Sequence, residues 1–231
     1  LTPSSQPLRV AVAGSTDRTR VIVEALQNDP AGRFEMVWAL TPAPKPVGRK
    51  QLVAMNPLHE WVADRQLPSI LIASDQKKVS AYRDQIEAQP RPDFLLVVDF
   101  GYIVPDWLLA HPMTAPINVH PSALPRWRGS SPGQAVLLHG ENESAVTIMI
   151  LEKKLDAGPV LWQQSFEVDP VWTQTEYYQH SFGLAAETIA DVLADLAAGN
   201  STPQPQPADS PTPIAGRISK EDAFVAWEVV S

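Results

Sequence analysis

An α/β fold, a doubly wound, mainly parallel twisted sheet in a single domain, is what this sequence predicts, and three observations predict it. Short, almost wholly apolar runs, LRVAVA at 8–13 and FLLVVDF at 94–100, read as strands covered on both faces. Stretches with helical spacing separate successive strand-like runs, as in a sheet wound with crossover helices. Polar punctuation falls where strands end, at Gly14-Ser15-Thr16, at Gly101-Tyr102 and at Asn118 and His120, the end of an open α/β sheet that receives ligands. With 231 residues, 44% of them hydrophobic, the chain has enough apolar surface for one substantial domain and a short appendage. The expected division is 1–198 for the domain and 199–231 for a Pro-rich arm and C-terminal tail.

The elements follow in order. The strand at 8–13 leads to Thr16 or Asp17, either of which suits the cap of a helix through Asn28 whose apolar faces carry Val21, Val23, Ala25 and Leu26. Residues 34–40 read as a second strand, 41–57 as a loop rich in Pro and Lys/Arg, and 58–65 as a helix. A third strand at 69–73 precedes a mostly polar helix at 76–88. The run at 94–100 is the most apolar and so the central strand; Gly101-Tyr102 breaks it, and Pro105 opens a short helix through Leu109. A fifth strand occupies 117–120, a helix 132–139, and two more strands 146–151 and 160–168. The longest helix spans 173–198, with Thr173 or Thr175 as cap and Gly199 as stop. Pro203, Pro205, Pro207, Pro211 and Pro213 make 200–213 an extended arm over the surface, and no internal repeats appear.

Composition excludes several chemistries. The chain has no cysteine, so disulfides, thiolate nucleophiles and Cys-based zinc sites are ruled out. No apolar run approaches the ~20 residues of a membrane span, and no signal-peptide pattern opens the chain; a cytoplasmic protein with no membrane partner is expected. Because the chain starts at Leu1, a trimmed or replaced natural N-terminus is also expected. The net charge of −8 leaves any RNA contact to a local basic patch or to a region missing from this chain, and no DNA partner is expected.

The segment most suited to chemistry is INVHPSALPRWRG at 117–129. Side chains two apart on a strand share a face, which sets Asn118 beside His120 at the strand's carboxyl end. An amide donor next to an imidazole suits a reaction that develops an oxyanion and moves a proton. His59, His111, His139 and His180 have no comparable setting. Asp156, in KKLDAGP at 153–159, has two readings: a turn residue accepting backbone N–H bonds, or a carboxylate placed against His120 to orient its ring. The basic cluster at 44–50, PKPVGRK, is either a solvated loop or a phosphate or RNA contact. Arg126 and Arg128 around Trp127 make either a cation–π patch or a nucleic-acid contact. Gly14-Ser15-Thr16 completes neither G-x-G-x-x-G nor G-x-x-x-x-G-K-[ST], so nucleotide sites of those two types are rejected.

These segments resemble the formyltetrahydrofolate-dependent formyltransferases, most closely the branch acting on methionyl-tRNA. The similarity rests on Asn118, His120, Ser122, Leu124 and Pro125, on Arg126-Trp127-Arg128-Gly129, on Thr147-Ile148-Met149 and on Leu155-Asp156-Ala157-Gly158. It extends across 45–50 and to Ser219-Lys220-Glu221-Asp222 and Trp227. The resemblance implies a Rossmann-like formyltransferase fold and 10-formyltetrahydrofolate as co-substrate, with no metal. It implies that Asn118 and His120 stabilise the oxyanion while Asp156 holds His120 and helps move a proton from the attacking amine to N10 of the folate. It places Phe100, Gly101, Tyr102, Ile103, Ser122, Ala123, Leu124 and Pro125 in the folate pocket, and Arg49, Lys50, Arg126 and Arg128 against initiator methionyl-tRNA. A monomer is expected. Pro121 stands where this family commonly has Gly, Ala123 where it has Leu, and Pro159 where an acidic residue is common. The chain ends just after the matching Trp227 segment, without the small basic β-barrel that the resemblance would add, so weak and salt-dependent tRNA affinity is expected. A sugar-nucleotide N-formyltransferase and a formyltetrahydrofolate hydrolase share the same three residues and remain alternatives; a catalytically dead binding relative is disfavoured by the intact trio.

Overall fold

The computed structural model describes residues 6–219; Lys220, Glu221, Asp222 and Trp227 of the resemblance lie outside them. Strand β1 (Leu8–Gly14) has every residue from Val10 to Gly14 buried. Its side chains alternate between two apolar layers, Val10 and Val12 on one face and Ala11 and Ala13 on the other. Strand β6 (Phe94–Val98) does the same with Phe94, Leu96 and Val98 against Leu95 and Val97. Burial on both faces is what the wholly apolar runs require.

Around this pair stand β2 (Phe34–Pro42), β5 (Ser69–Ile72), β7 (Ala115–His120), β8 (Glu143–Ile150) and β9 (Val160–Glu167). The sheet order is β5-β2-β1-β6-β7-β8-β9. The first five of these are parallel, and β8 and β9 add an antiparallel edge. The connecting helices are α1 (Asp17–Gln27), α2 (Pro57–Asp64), α3 (Arg83–Glu87), α4 (Asp106–Leu109), α5 (Pro132–Leu138) and α6 (Gln174–Ala197). The fold is the doubly wound sheet that the alternation predicted.

Thr16 caps α1 through a capping box with Thr19, and Thr173 caps α6 through one with Glu176. The structure departs from the sequence reading in three places. The loop at 41–57 contains a hairpin of β3 (Lys45–Val47) and β4 (Leu52–Ala54), too short and too interrupted by Pro46 to signal strands. The helix at 76–88 is a 3₁₀ turn at Val79–Tyr82 followed by the five-residue α3. Strand β7 starts at Ala115 and takes in Pro116, although proline argues against a strand interior; its carbonyl still accepts from the Leu151 amide, 2.9 Å away.

Among the described residues no helix is long and apolar enough to cross a membrane.

Candidate active site

The site lies where β1, β6 and β7 end. Ile117 and Val119 turn into the core, so Asn118 and His120 point the other way, into a cleft of about 980 Å³. β7 is paired on both sides, with Asn118 opposite Val97 on β6 and Met149 on β8, and His120 opposite Thr147. His120 is only 4% exposed. Its Nε2 lies 3.1 Å from the Trp127 carbonyl, which only accepts, so that nitrogen carries the proton. Nδ1 is the nitrogen that faces Asp156, 3.9 Å from Oδ2, an ion-pair distance and not a hydrogen bond.

Asp156 is held differently. Its φ of 45° puts it in the left-handed region, which a residue with a side chain adopts at a cost. Oδ2 accepts from the Gly129 amide at 2.7 Å. The loop that brings Gly129 there is pinned to the antiparallel edge. Thr147 Oγ1 donates to the Ser122 carbonyl at 2.7 Å, Gln163 Nε2 to the Leu124 carbonyl at 3.1 Å, and Ser122 Oγ to the Arg126 carbonyl at 2.7 Å. Trp127, at φ 56°, then swings its carbonyl toward His120.

Of the eight residues predicted to line a folate pocket, Phe100, Gly101, Tyr102 and Ile103 line the cleft, on the turn that β6 makes after Asp99. Ser122, Ala123, Leu124 and Pro125 do not. The bonds to Thr147 and Gln163 hold this part of the loop against β8 and β9, with Ser122 wholly buried. Asp156 joins His120 and Asn118 on the cleft wall, and its carboxylate accepts the Gly129 backbone N–H, a bond of the kind its turn reading describes.

The four basic residues separate. Arg49 and Lys50 are exposed in the turn of the β3–β4 hairpin. Arg126 pairs with Glu141 beside Trp127, whose Nε1 donates to the same carboxylate at 3.0 Å. Arg128 is 5% exposed and spends its donors on Gln206 Oε1 and on the Pro207 and Ala208 carbonyls. In this structure the Arg128 side chain is turned inward, with its donors already bonded.

Sequence reasoning missed the opposite wall. Thr16 and Arg18 at the start of α1, Asp99, Gln134 and Tyr178 all line the cleft. Thr16 Oγ1 donates to Asp99 Oδ2 at 2.7 Å, Arg18 pairs with the same carboxylate, and its guanidinium stacks 4.1 Å over the Tyr178 ring. Burial pushes the Tyr178 hydroxyl up to about 12, so it stays protonated. The available signal was positional for three of these residues: Thr16 and Arg18 follow β1 and Asp99 follows β6, adjacent strands at the carboxyl edge where the winding of the sheet reverses direction, whereas Gln134 on α5 and Tyr178 on α6 carried none.

Residues 8–193 match the family described as Formyl transferase. The methionyl-tRNA formyltransferase of Aromatoleum aromaticum is 31% identical over 229 residues, which cover 97% of this chain and 69% of that protein. The methionyl-tRNA formyltransferase of Thermotoga maritima is 33% identical over 218 residues, 94% of this chain and 67% of its own. Among solved structures, glycinamide ribonucleotide transformylase 1 from Symbiobacterium toebii superposes with a TM-score of 0.67 at 15% identity, over 86% of this chain and 92% of that one. An N-formyltransferase from Helicobacter canadensis, crystallised with folinic acid and dTDP-3-aminofucose, gives a TM-score of 0.64 at 14% identity, over 93% and 72%. These last two likenesses establish a shared fold.

Proposed function

Since the chain belongs to the Formyl transferase family and is an enzyme of formyl transfer, we propose that it moves the formyl group of 10-formyltetrahydrofolate to the α-amine of methionyl-tRNA. The observation that carries this reading is the meeting of Asn118, His120 and Asp156 in one cleft beside the 100–103 turn. The similarity of nearly the whole chain to methionyl-tRNA formyltransferases supports the choice of acceptor.

The residues fit a formyl-folate donor. Phe100 and Tyr102, whose rings lie 5.2 Å apart, offer aromatic surface to a flat pterin, and Ile103 and Leu155 extend it at the rim. As the amine nitrogen bonds to the formyl carbon, the formyl oxygen gains negative charge. The Asn118 amide is a fixed donor for that oxygen, and His120 supplies a second donor from Nδ1 when both its ring nitrogens are protonated. Asp156 Oδ2 faces that nitrogen from 3.9 Å. It also accepts the proton the amine loses and returns it to N10 as the bond from carbon to N10 breaks. Proton and electron pair both balance, and no other reactant is needed.

The test is formyl transfer from 10-formyltetrahydrofolate to charged initiator tRNA, run beside a panel of amino-sugar nucleotides and a control without acceptor. Formyl-methionyl-tRNA formed by the wild type and not by His120→Ala is the expected result. Transfer confined to the amino-sugar panel would select a sugar-nucleotide N-formyltransferase instead. Folate turnover in the control alone would select hydrolysis.

A further inference from the structure

We propose that Gln206, on the Pro-rich arm beyond the family match, is a positioning residue that couples the Asp156 loop to the Arg128 loop and sets the Asp156 carboxylate in place beside His120. The inference rests on the catalytic role proposed for Asp156. Gln206 does not line the cleft, so any effect it has on chemistry passes through its neighbours.

Its carboxamide is fully used. Nε2 donates to the Asp156 carbonyl at 3.0 Å and to the Gly158 carbonyl at 2.7 Å. Oε1 accepts from Arg128 Nη2 at 2.9 Å and from Nε at 3.3 Å. Two carbonyls on one side and a guanidinium on the other dictate which end is the amide nitrogen. Glutamate in the same place would set a carboxylate oxygen against two carbonyls. Arg128 is followed by Gly129, whose amide holds Asp156 Oδ2. Gln206 therefore grips Asp156 by its main chain, and through Arg128 steadies the amide that grips its side chain. A residue at φ 45° needs such outside restraint to stay in one conformation.

The arm is itself anchored well enough to act as a brace. Gln204 exchanges both backbone bonds with Val160 at 2.8 Å. Thr212 Oγ1 accepts from the Trp127 amide at 2.7 Å, and the Ala215 amide donates to the Arg128 carbonyl at 2.8 Å. Lys154, on the Asp156 loop, donates to the Ala208 carbonyl at 2.8 Å. Pro203, Pro205 and Pro207 alternate with the two glutamines and narrow the conformations of the free arm, which lowers the entropy lost on docking.

The experiment uses the whole chain with Gln206→Ala and Gln206→Glu, each also placed on Asp156→Asn. Expected is a kcat lower by about 10-fold or more with the folate KM held within about twofold. Hydrogen exchange at the Gly129 amide should accelerate by about 10-fold or more, and neither variant should lower kcat further on the Asp156→Asn background. Should Gln206→Ala fail to fold, Gln206→Glu, which keeps an acceptor for Arg128, carries the comparison. An unchanged kcat with unchanged Gly129 exchange overturns the proposal. So does a loss that adds in full to that of Asp156→Asn, the mark of general destabilisation. If the wild type formylates no methionyl-tRNA, the functional reading fails, while the Gly129 amide, read without substrate, still decides whether Gln206 holds the loop.

Discussion

Asn118 and His120 are placed by a strand, Asp156 by a loop, and the two parts of the site owe their geometry to different reaches of sequence. On β7, neighbours on both sides and the two-residue period fix where the side chains point, so adjacent residues carry most of the information. Asp156 sits in the left-handed region and depends on the Gly129 amide, 27 residues away, and on Gln206, 50 residues away. The strand half is stabilised as part of the sheet. The loop half is a convergence of three segments, each needing the others. The difference teaches that, on the proposed mechanism, the donor side of the cleft is held by the sheet and the proton-handling side by long-range bracing.

The largest effect tests whether both sides matter equally to turnover. His120→Ala removes a ring held between the Trp127 carbonyl and Asp156. Asp156→Asn keeps the shape and an acceptor for the Gly129 amide but removes the charge. Each should lower kcat for formyl transfer by roughly 10²–10³, with thermal unfolding still cooperative, when single-turnover rates and melting curves are measured together. A near-wild-type rate in either variant removes that residue from the proposed mechanism. A large loss in His120→Ala alone would leave the brace around Asp156 without a chemical purpose.

Two glycine substitutions sharpen the contrast. Gly14 ends β1, and a Cβ there would stand 2.4 Å from the Val98 carbonyl oxygen, inside the sheet. Gly129 has φ 128°, and a Cβ there would stand 2.4 Å from the Ala215 carbonyl, where the arm crosses the loop. Gly14→Ala should unfold the whole sheet earlier, lowering stability by about 2–3 kcal/mol with kcat lost only as the folded fraction falls. Gly129→Ala should cost about 1–3 kcal/mol of local strain and lower kcat about 10-fold at temperatures where the chain is fully folded, because the amide that seats Asp156 moves. Denaturant titration beside kcat distinguishes them; equal kcat losses per folded molecule would erase the distinction between sheet and brace.

The same division explains what the sequence disclosed. The strands at 8–13 and 94–100, the same-face pair Asn118 and His120, and the Thr16 and Thr173 caps all follow from residues within a few positions of each other. The hairpin at 45–54 escaped because three-residue strands with a proline carry too little periodicity. The position of 122–125 outside the cleft was not legible because the Thr147 and Gln163 side chains that hold that loop lie on later strands. Arg128 read as a surface cation because nothing near it in sequence reveals the Gln206 that buries it. Long-range partners of single side chains leave no local pattern, and they are what this loop half is made of.

The smallest effect concerns a region outside both halves. Arg49 lies in the turn of the β3–β4 hairpin, where Gly48 takes φ 66° and Gln51 φ 49°, and Gln51 Nε2 donates to the Gly48 carbonyl at 2.8 Å. The turn is thus shaped by its own backbone and not by the exposed arginine. Arg49→Ala should leave stability within about 0.5 kcal/mol of wild type and folate kinetics unchanged. If the hairpin meets the acceptor, KM for methionyl-tRNA rises several-fold at low salt, and the salt dependence becomes shallower by about one phosphate contact. On a chain of net charge −8, one lost cation at the docking surface is a measurable share of the attraction. An unchanged KM across a salt series would remove Arg49 from the acceptor surface while leaving the cleft's chemistry untouched, because no bond links the hairpin turn to Asn118, His120 or Asp156 among the described residues.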